Sequence, residues 1–126
     1  PILVRESPYT LDETLEKLKT AISAANLRLI RTQTLDQGFV PEGKEDRRQT
    51  IVYSCDFRFL NEALKVDPRV GLFLPCRITV VEQEGKVKVM SVNPKSMSKL
   101  FNNAELNSLC EKMHQIYTDI LEESVL

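Results

Sequence analysis

Two runs of alternating residues, Cys76 to Glu82 and Lys86 to Val92, flank the pair Glu84–Gly85. An apolar side chain at every second position turns one face of each run toward a core and the other toward water. A glycine-containing pair between two such runs reads as the turn of a β-hairpin. This feature constrains the chain more than any other, because it fixes two antiparallel neighbours whose one-sided polarity demands a covering layer.

The helices that could supply that layer lie at the two ends. Thr10 followed by Glu13 forms a capping box. Leu11, Leu15, Leu18, Ile22 and Ala25 then recur at helical spacing, and Asn26 is a plausible stop. Near the other terminus, Asn103 caps a helix that runs to about Glu122. Its apolar stripe is Leu106, Leu109, Met113, Ile116 and Ile120, and Asn107, Glu111, Lys112, His114, Gln115 and Asp119 form the wet face.

Between the ends, Ile2 to Arg5, Leu27 to Thr34 and Thr50 to Cys55 read as strands. Asp56 starts a short helix with Phe57, Leu60 and Leu64 on one face, ended by Asp67–Pro68. Pro75 precedes the first hairpin strand, where a missing N–H does least harm. Asn93–Pro94 breaks the sheet ahead of a short helical turn near Met97 to Phe101. Asp36 to Arg48, with Gly38, Pro41 and Gly43, is a long loop that could act as a lid, although a solvated insertion is the better reading. The predicted order is β-α-β-β-(short α)-β-β-α. It describes an α+β fold in a single domain, 1–126, with an antiparallel sheet covered on one face and a cavity at one sheet end.

Charge narrows the partners. Lysine and arginine number 17 against 18 acidic residues, for a net charge of -1. Phosphate neutralisation needs a basic excess, so no nucleic-acid partner is expected. The longest apolar stretch, Val70 to Pro75, is interrupted by Gly71 and is too short for a membrane span. The chain opens at Pro1, which suggests removal of an initiator methionine, a signal peptide or a tag. A cytoplasmic and a periplasmic setting both fit.

The candidate chemistry is centred on thiols. The three cysteines, Cys55, Cys76 and Cys110, allow one disulfide with a free thiol or three reduced thiols. Cys55 closes the third strand and Cys76 opens the fourth. Ile51, Tyr53 and Cys55 share one face of their strand, Cys76, Ile78 and Val80 share one face of theirs, and the strands are expected to be antiparallel neighbours. Both faces are expected to look into the core, so the two thiols converge at one sheet end. They could be small buried hydrophobes or a redox pair. No metal is expected, because no histidine converges on them.

Cys110 and His114 have chelating spacing, but Cys110 lies at the edge of the apolar stripe of Leu106, Met113 and Tyr117, and His114 shares a face with Glu111 and Thr118. A single histidine argues against histidine-based acid–base catalysis. No nucleophile, P-loop or dinucleotide motif is present. Arg69, Arg77 and Asn93 are expected near the same sheet end. Arg69 reads as an ion-pair residue and Asn93 as a turn former, but either could join Arg77 in holding an anion or a polar ligand head.

Three stretches carry a family resemblance: Ser7-Pro8-Tyr9-Thr10 with Glu13-Thr14 and Leu18; Leu74-Pro75-Cys76-Arg77-Ile78 with Gly85-Lys86-Val87; and Asn93 with Met97, Leu100 and Phe101. On these the chain resembles the domain of unknown function 302 family. The resemblance implies a β-α-β(4)-α arrangement related to TATA-binding-protein-like folds. It also implies a cysteine-containing subgroup, with Cys55 after the middle strand and Cys76 beside Arg77 in a Pro-Cys-Arg run. The loop from Asp36 to Arg48 departs from the family pattern.

The family carries no established activity, so the resemblance assigns no catalytic residue and no cofactor. The functional expectation is a non-enzymatic accessory domain that holds a small-molecule ligand or a partner near Cys55, Cys76, Arg77 and Asn93. The alternative is a thiol redox protein using Cys55 and Cys76. Self-association into a homo-oligomer is also expected, because an uncapped sheet edge invites pairing.

Overall fold

The computed structural model describes residues 1–74 and 76–126. The expectation for Pro75 lies outside the described residues. The elements in chain order are β1 (Ile2–Ser7), α1 (Leu11–Ala24), β2 (Arg28–Thr34), β3 (Gln49–Cys55), α2 (Phe57–Val66), a 3₁₀ turn (Pro68–Leu72), β4 (Cys76–Gln83), β5 (Lys86–Val92), α3 (Pro94–Ser98) and α4 (Ala104–Ser124). The strands form one antiparallel sheet in the order β1-β5-β4-β3-β2.

The hairpin forms as its alternation requires. Gln83 pairs with Lys86, and Glu84 and Gly85 have φ of 54° and 78°. Two left-handed residues in succession match the right-handed twist of the flanking strands. Val87 and Val89 of β5 and Ile78 and Val80 of β4 are buried together. Helices α1 and α4 pack on each other and on this face of the sheet, adding Leu15, Leu18 and Ile22 from one and Leu106, Met113 and Ile120 from the other. The opposite face is much less covered: Ile2, Val4 and Val92 all remain exposed there.

The helix ends follow their capping residues. The Glu13 backbone N–H donates to Thr10 Oγ1 at 3.2 Å. The Glu13 carboxylate accepts from the Thr10 hydroxyl at 2.9 Å. Asn26 stops α1 with φ of 62°, a left-handed conformation that asparagine tolerates. The Leu106 N–H donates to Asn103 Oδ1 at 3.0 Å, which starts α4.

Several expectations are corrected. In β3 the residues opposite Val80, Ile78 and Cys76 are Thr50, Val52 and Ser54, so these three face the helices. Ile51 and Tyr53, expected in the core, lie on the other face opposite Thr79 and Arg77. The cause is that β3 is apolar on both sides: Ile51 and Val52 are adjacent and both buried, which erases the alternation that parity reading needs.

In α2 the buried residues are Phe59 and Ala63, whereas Phe57 and Leu64 are exposed. The helix presents a different stripe because Val70, on the 3₁₀ turn after Pro68, folds back into the same core cluster. The short helix after the sheet begins at Pro94, immediately behind an Asn93 N-cap, not near Met97. The long loop is stapled by Asp36, whose carboxylate accepts from the Thr34 hydroxyl at 2.8 Å and the Asp46 N–H at 3.1 Å. Arg47 pairs with Asp12 of α1. No helix among the described residues is long and apolar enough to cross a membrane.

Candidate functional site

β3 ends, β4 begins and β5 ends at one edge of the fold, and the segment Leu72 to Leu74 passes beside that edge. The register sets Cys76 opposite Ser54, so Cys55 is one residue beyond the partner of Cys76. There the chain leaves the sheet for α2, and Cys55 turns inward instead of continuing the strand's alternation. Both cysteines join the same buried cluster, each 5% exposed, with Cys110 of α4 in that cluster as well. All three are free thiols. The Cys55 thiol donates to the Asp56 carbonyl at 3.6 Å, and the register makes Cys76 its neighbour across the strand pair.

That adjacency splits the acidities of the pair. The Cys76 S–H stabilises a thiolate on Cys55 and lowers its pKa to about 7, against the opposing effect of burial. The same bond, with burial, pushes Cys76 well up. Burial alone raises Cys110. Tyr117 of α4 brings its hydroxyl beside Cys76 and Ser54, and burial holds it neutral by pushing its pKa far up. Neither Tyr117 OH nor Ser54 Oγ has a hydrogen-bond partner among the described residues. A buried hydroxyl without a partner costs roughly 1–3 kcal/mol, so two beside a thiol pair need a reason.

A cleft of about 290 Å³ opens onto this cluster. Leu72, Phe73, Leu74, Val92 and Met97 form its apolar walls. Cys76, Ser91 and Tyr117 face it from the helix side of the sheet, and Tyr53 and Arg77 from the open side. Arg77 has no ion pair among the described residues.

Of the sequence candidates, Cys55, Cys76 and Arg77 are brought together at this edge. Asn93 is not among the lining residues. Its carboxamide oxygen accepts from the Lys95 N–H at 3.0 Å and meets His114 Nδ1 at 2.9 Å. His114 is therefore half-buried and tied to α3, which corrects the expectation that it is simply solvated. Arg69 is occupied by Asp67 at 2.7 Å and lies over the Phe101 ring. Sequence reasoning missed Tyr117, Ser54 and Met97. The signal for Tyr117 was present: a tyrosine one turn beyond Met113 in a core stripe carries a hydroxyl inward, where it must find a polar partner.

A larger concavity of about 750 Å³ lies between the loop, α1 and β2. Its cations are already neutralised, Lys19 by Glu16 and Arg47 by Asp12, and it contains no thiol. The smaller cleft is the better candidate, because chemistry follows uncompensated charge and reactive groups, not volume. No three histidine, cysteine, aspartate or glutamate side chains among the described residues converge as a metal set.

Comparison with known proteins agrees with this architecture. An uncharacterised protein of Aquifex aeolicus (strain VF5) is 29% identical over 106 residues, which cover 83% of this chain and 68% of that protein. The crystal structure of an uncharacterised conserved DUF302 protein from Bacillus stearothermophilus superposes with a TM-score of 0.84 at 16% identity, covering 98% of this chain and 97% of that one. At that identity the likeness speaks for the fold alone. The family model of the domain of unknown function DUF302 matches residues 3–124, nearly the full length, and the chain belongs to that family.

Proposed function

We propose that this chain is an accessory binding domain, and that its sheet-end cleft takes a small molecule with a compact apolar body and an anionic head. The observation that carries this reading is Arg77, a guanidinium with no ion pair among the described residues, set beside walls of Leu72, Phe73, Leu74, Val92 and Met97. A cation at the rim of an apolar slot favours a carboxylate or similar head group, and the slot favours a hydrocarbon body.

The test is an NMR titration with octanoate and, in parallel, octanol. Octanoate should shift the amides of Arg77, Leu72 and Met97, and octanol should bind more weakly. Arg77→Gln should weaken octanoate binding about tenfold, the equivalent of ~1.4 kcal/mol. Equal binding of acid and alcohol, or shifts confined to other parts of the chain, would count against the reading.

A second reading has its own support in the adjacency of Cys55 and Cys76 at the strand ends, within one buried cluster. In it the two residues form a reversible dithiol–disulfide couple. Oxidation of the reduced protein by diamide, followed by peptide mapping, should yield a Cys55–Cys76 bridge that dithiothreitol reverses.

A further inference from the structure

The two unpartnered hydroxyls and the thiol pair belong to one arrangement, and the cleft leads to it. Ser54 and Tyr117 are 0% and 1% exposed, so neither hydroxyl can be satisfied by bulk water at its own surface. Ser54 pairs opposite Cys76, Cys76 and Tyr117 line the cleft, and Cys55 lies behind them in the same buried cluster, one residue beyond Ser54. A protein disulfide could not reach such a site. Thiol–disulfide exchange needs the attacking sulfur in line with two others, and both sulfurs here are 5% exposed. A slender oxidant that carries oxygen would fit, and it would give the two hydroxyls the partner they lack.

We infer that the Cys55–Cys76 pair reduces small hydroperoxides that enter through the sheet-end cleft, with Ser54 and Tyr117 holding the departing oxygen. This rests on the dithiol–disulfide reading. The Cys55 thiolate attacks the terminal hydroxyl oxygen of the hydroperoxide. A sulfur–oxygen bond forms, the oxygen–oxygen bond breaks, and Cys55 becomes a sulfenic acid. The leaving alkoxide, or hydroxide from hydrogen peroxide, is hydrogen-bonded by Tyr117 and Ser54 and takes the proton of the Cys76 thiol. Cys76, now a thiolate, attacks the Cys55 sulfur and expels hydroxide, which a solvent proton converts to water. Two thiols have lost two electrons to form one disulfide, and the hydroperoxide has become an alcohol and water. Two equivalents of a low-molecular-weight thiol reduce the disulfide and are themselves oxidised to theirs.

The experiment treats the reduced wild-type chain with hydrogen peroxide and, separately, with diamide, followed by peptide mapping. The expected result is a Cys55–Cys76 bridge from both. A bridge from diamide but none from hydrogen peroxide would overturn the hydroperoxide assignment and leave the couple standing. No bridge from either would overturn both.

In Cys76→Ser, dimedone should trap a sulfenic acid on Cys55. A dimedone adduct on Cys76 in wild-type protein, with none on Cys55, would overturn the order of attack. Tyr117→Phe should slow bridging by hydrogen peroxide about tenfold or more, as loss of one oxyanion donor does, while leaving the pH midpoint of Cys55 alkylation in place. Unchanged bridging in Tyr117→Phe would overturn the role of that hydroxyl. If a variant fails to fold by circular dichroism, the wild-type maps alone decide.

Discussion

Cys55 owes its acidity to one neighbour more than to any other. The Cys76 S–H is the leading cause that lowers it, and the burial of Cys55 works in the opposite direction. Thiolate, not thiol, reacts with iodoacetamide. The labelling rate of Cys55 should therefore climb as pH rises through about 7, well below the ordinary thiol value of 9.0. Cys76→Ala removes the side-chain donor and leaves the burial, so the midpoint should move up. Cys110, raised by burial with no compensating donor, should label only at higher pH. Rate–pH profiles read peptide by peptide would check all three expectations. A Cys55 profile unmoved by Cys76→Ala would mean that the two sulfurs do not share a proton.

At the scale of one element, α4 carries most of what links core to site. Leu106, Leu109, Met113, Tyr117 and Ile120 are buried as their spacing predicts, Cys110 at the edge of the stripe is buried as well, and Leu121 joins them, leaving Ile116 at the margin. Met113→Ala should cost about 2–5 kcal/mol in denaturant melts, the usual range for truncating a buried methionine. Ile116→Ala should cost less, because that side chain is only partly buried. His114→Ala removes one hydrogen bond to Asn93 and should cost about 0.5–1.5 kcal/mol. Paired with Asn93→Ala in a double-mutant cycle, it should show coupling, which independent surface residues would not.

The same element shows what was legible in sequence. Elements with one wet face, α1, α4 and the β4–β5 hairpin, announce themselves through period. β3 does not, because Ile51 and Val52 are both buried, so its facing came out reversed. Cys55 still met Cys76, since the chain turns at Asp56 and brings the sulfur inward despite the wrong parity. In α2, the exposure of Phe57 and burial of Phe59 depend on where the 3₁₀ turn places Val70, a tertiary fact absent from local spacing.

Across the whole molecule, the sheet order places the two chain-terminal halves side by side. β1 pairs with β5, Ile2 against Val92 and Ser7 against Val87, and Arg5 reaches Glu122 of α4 at 3.2 Å. β2 is the other edge, and it differs in kind. Arg28 to Thr32 are all exposed, and among the described residues its one strand partner is β3, with a register irregularity between Leu29 and Arg31. Local openings need only the free energy of the contacts they break, whereas central amides wait for global unfolding, roughly 5–15 kcal/mol in domains of this kind. Amide exchange should therefore be slowest at Val52, Ile78, Val80 and Val89, which are fully buried between sheet and helices. It should be faster by orders of magnitude along β2 from Arg28 to Thr32. A concentration series in the exchange experiment adds a further reading. If β2 were protected like β4, and lost that protection on dilution, its free edge would be paired with a second copy of the chain. If β2 exchanged quickly at every concentration, it is an open edge, and its charged Arg28 and Arg31 are what keep it from pairing.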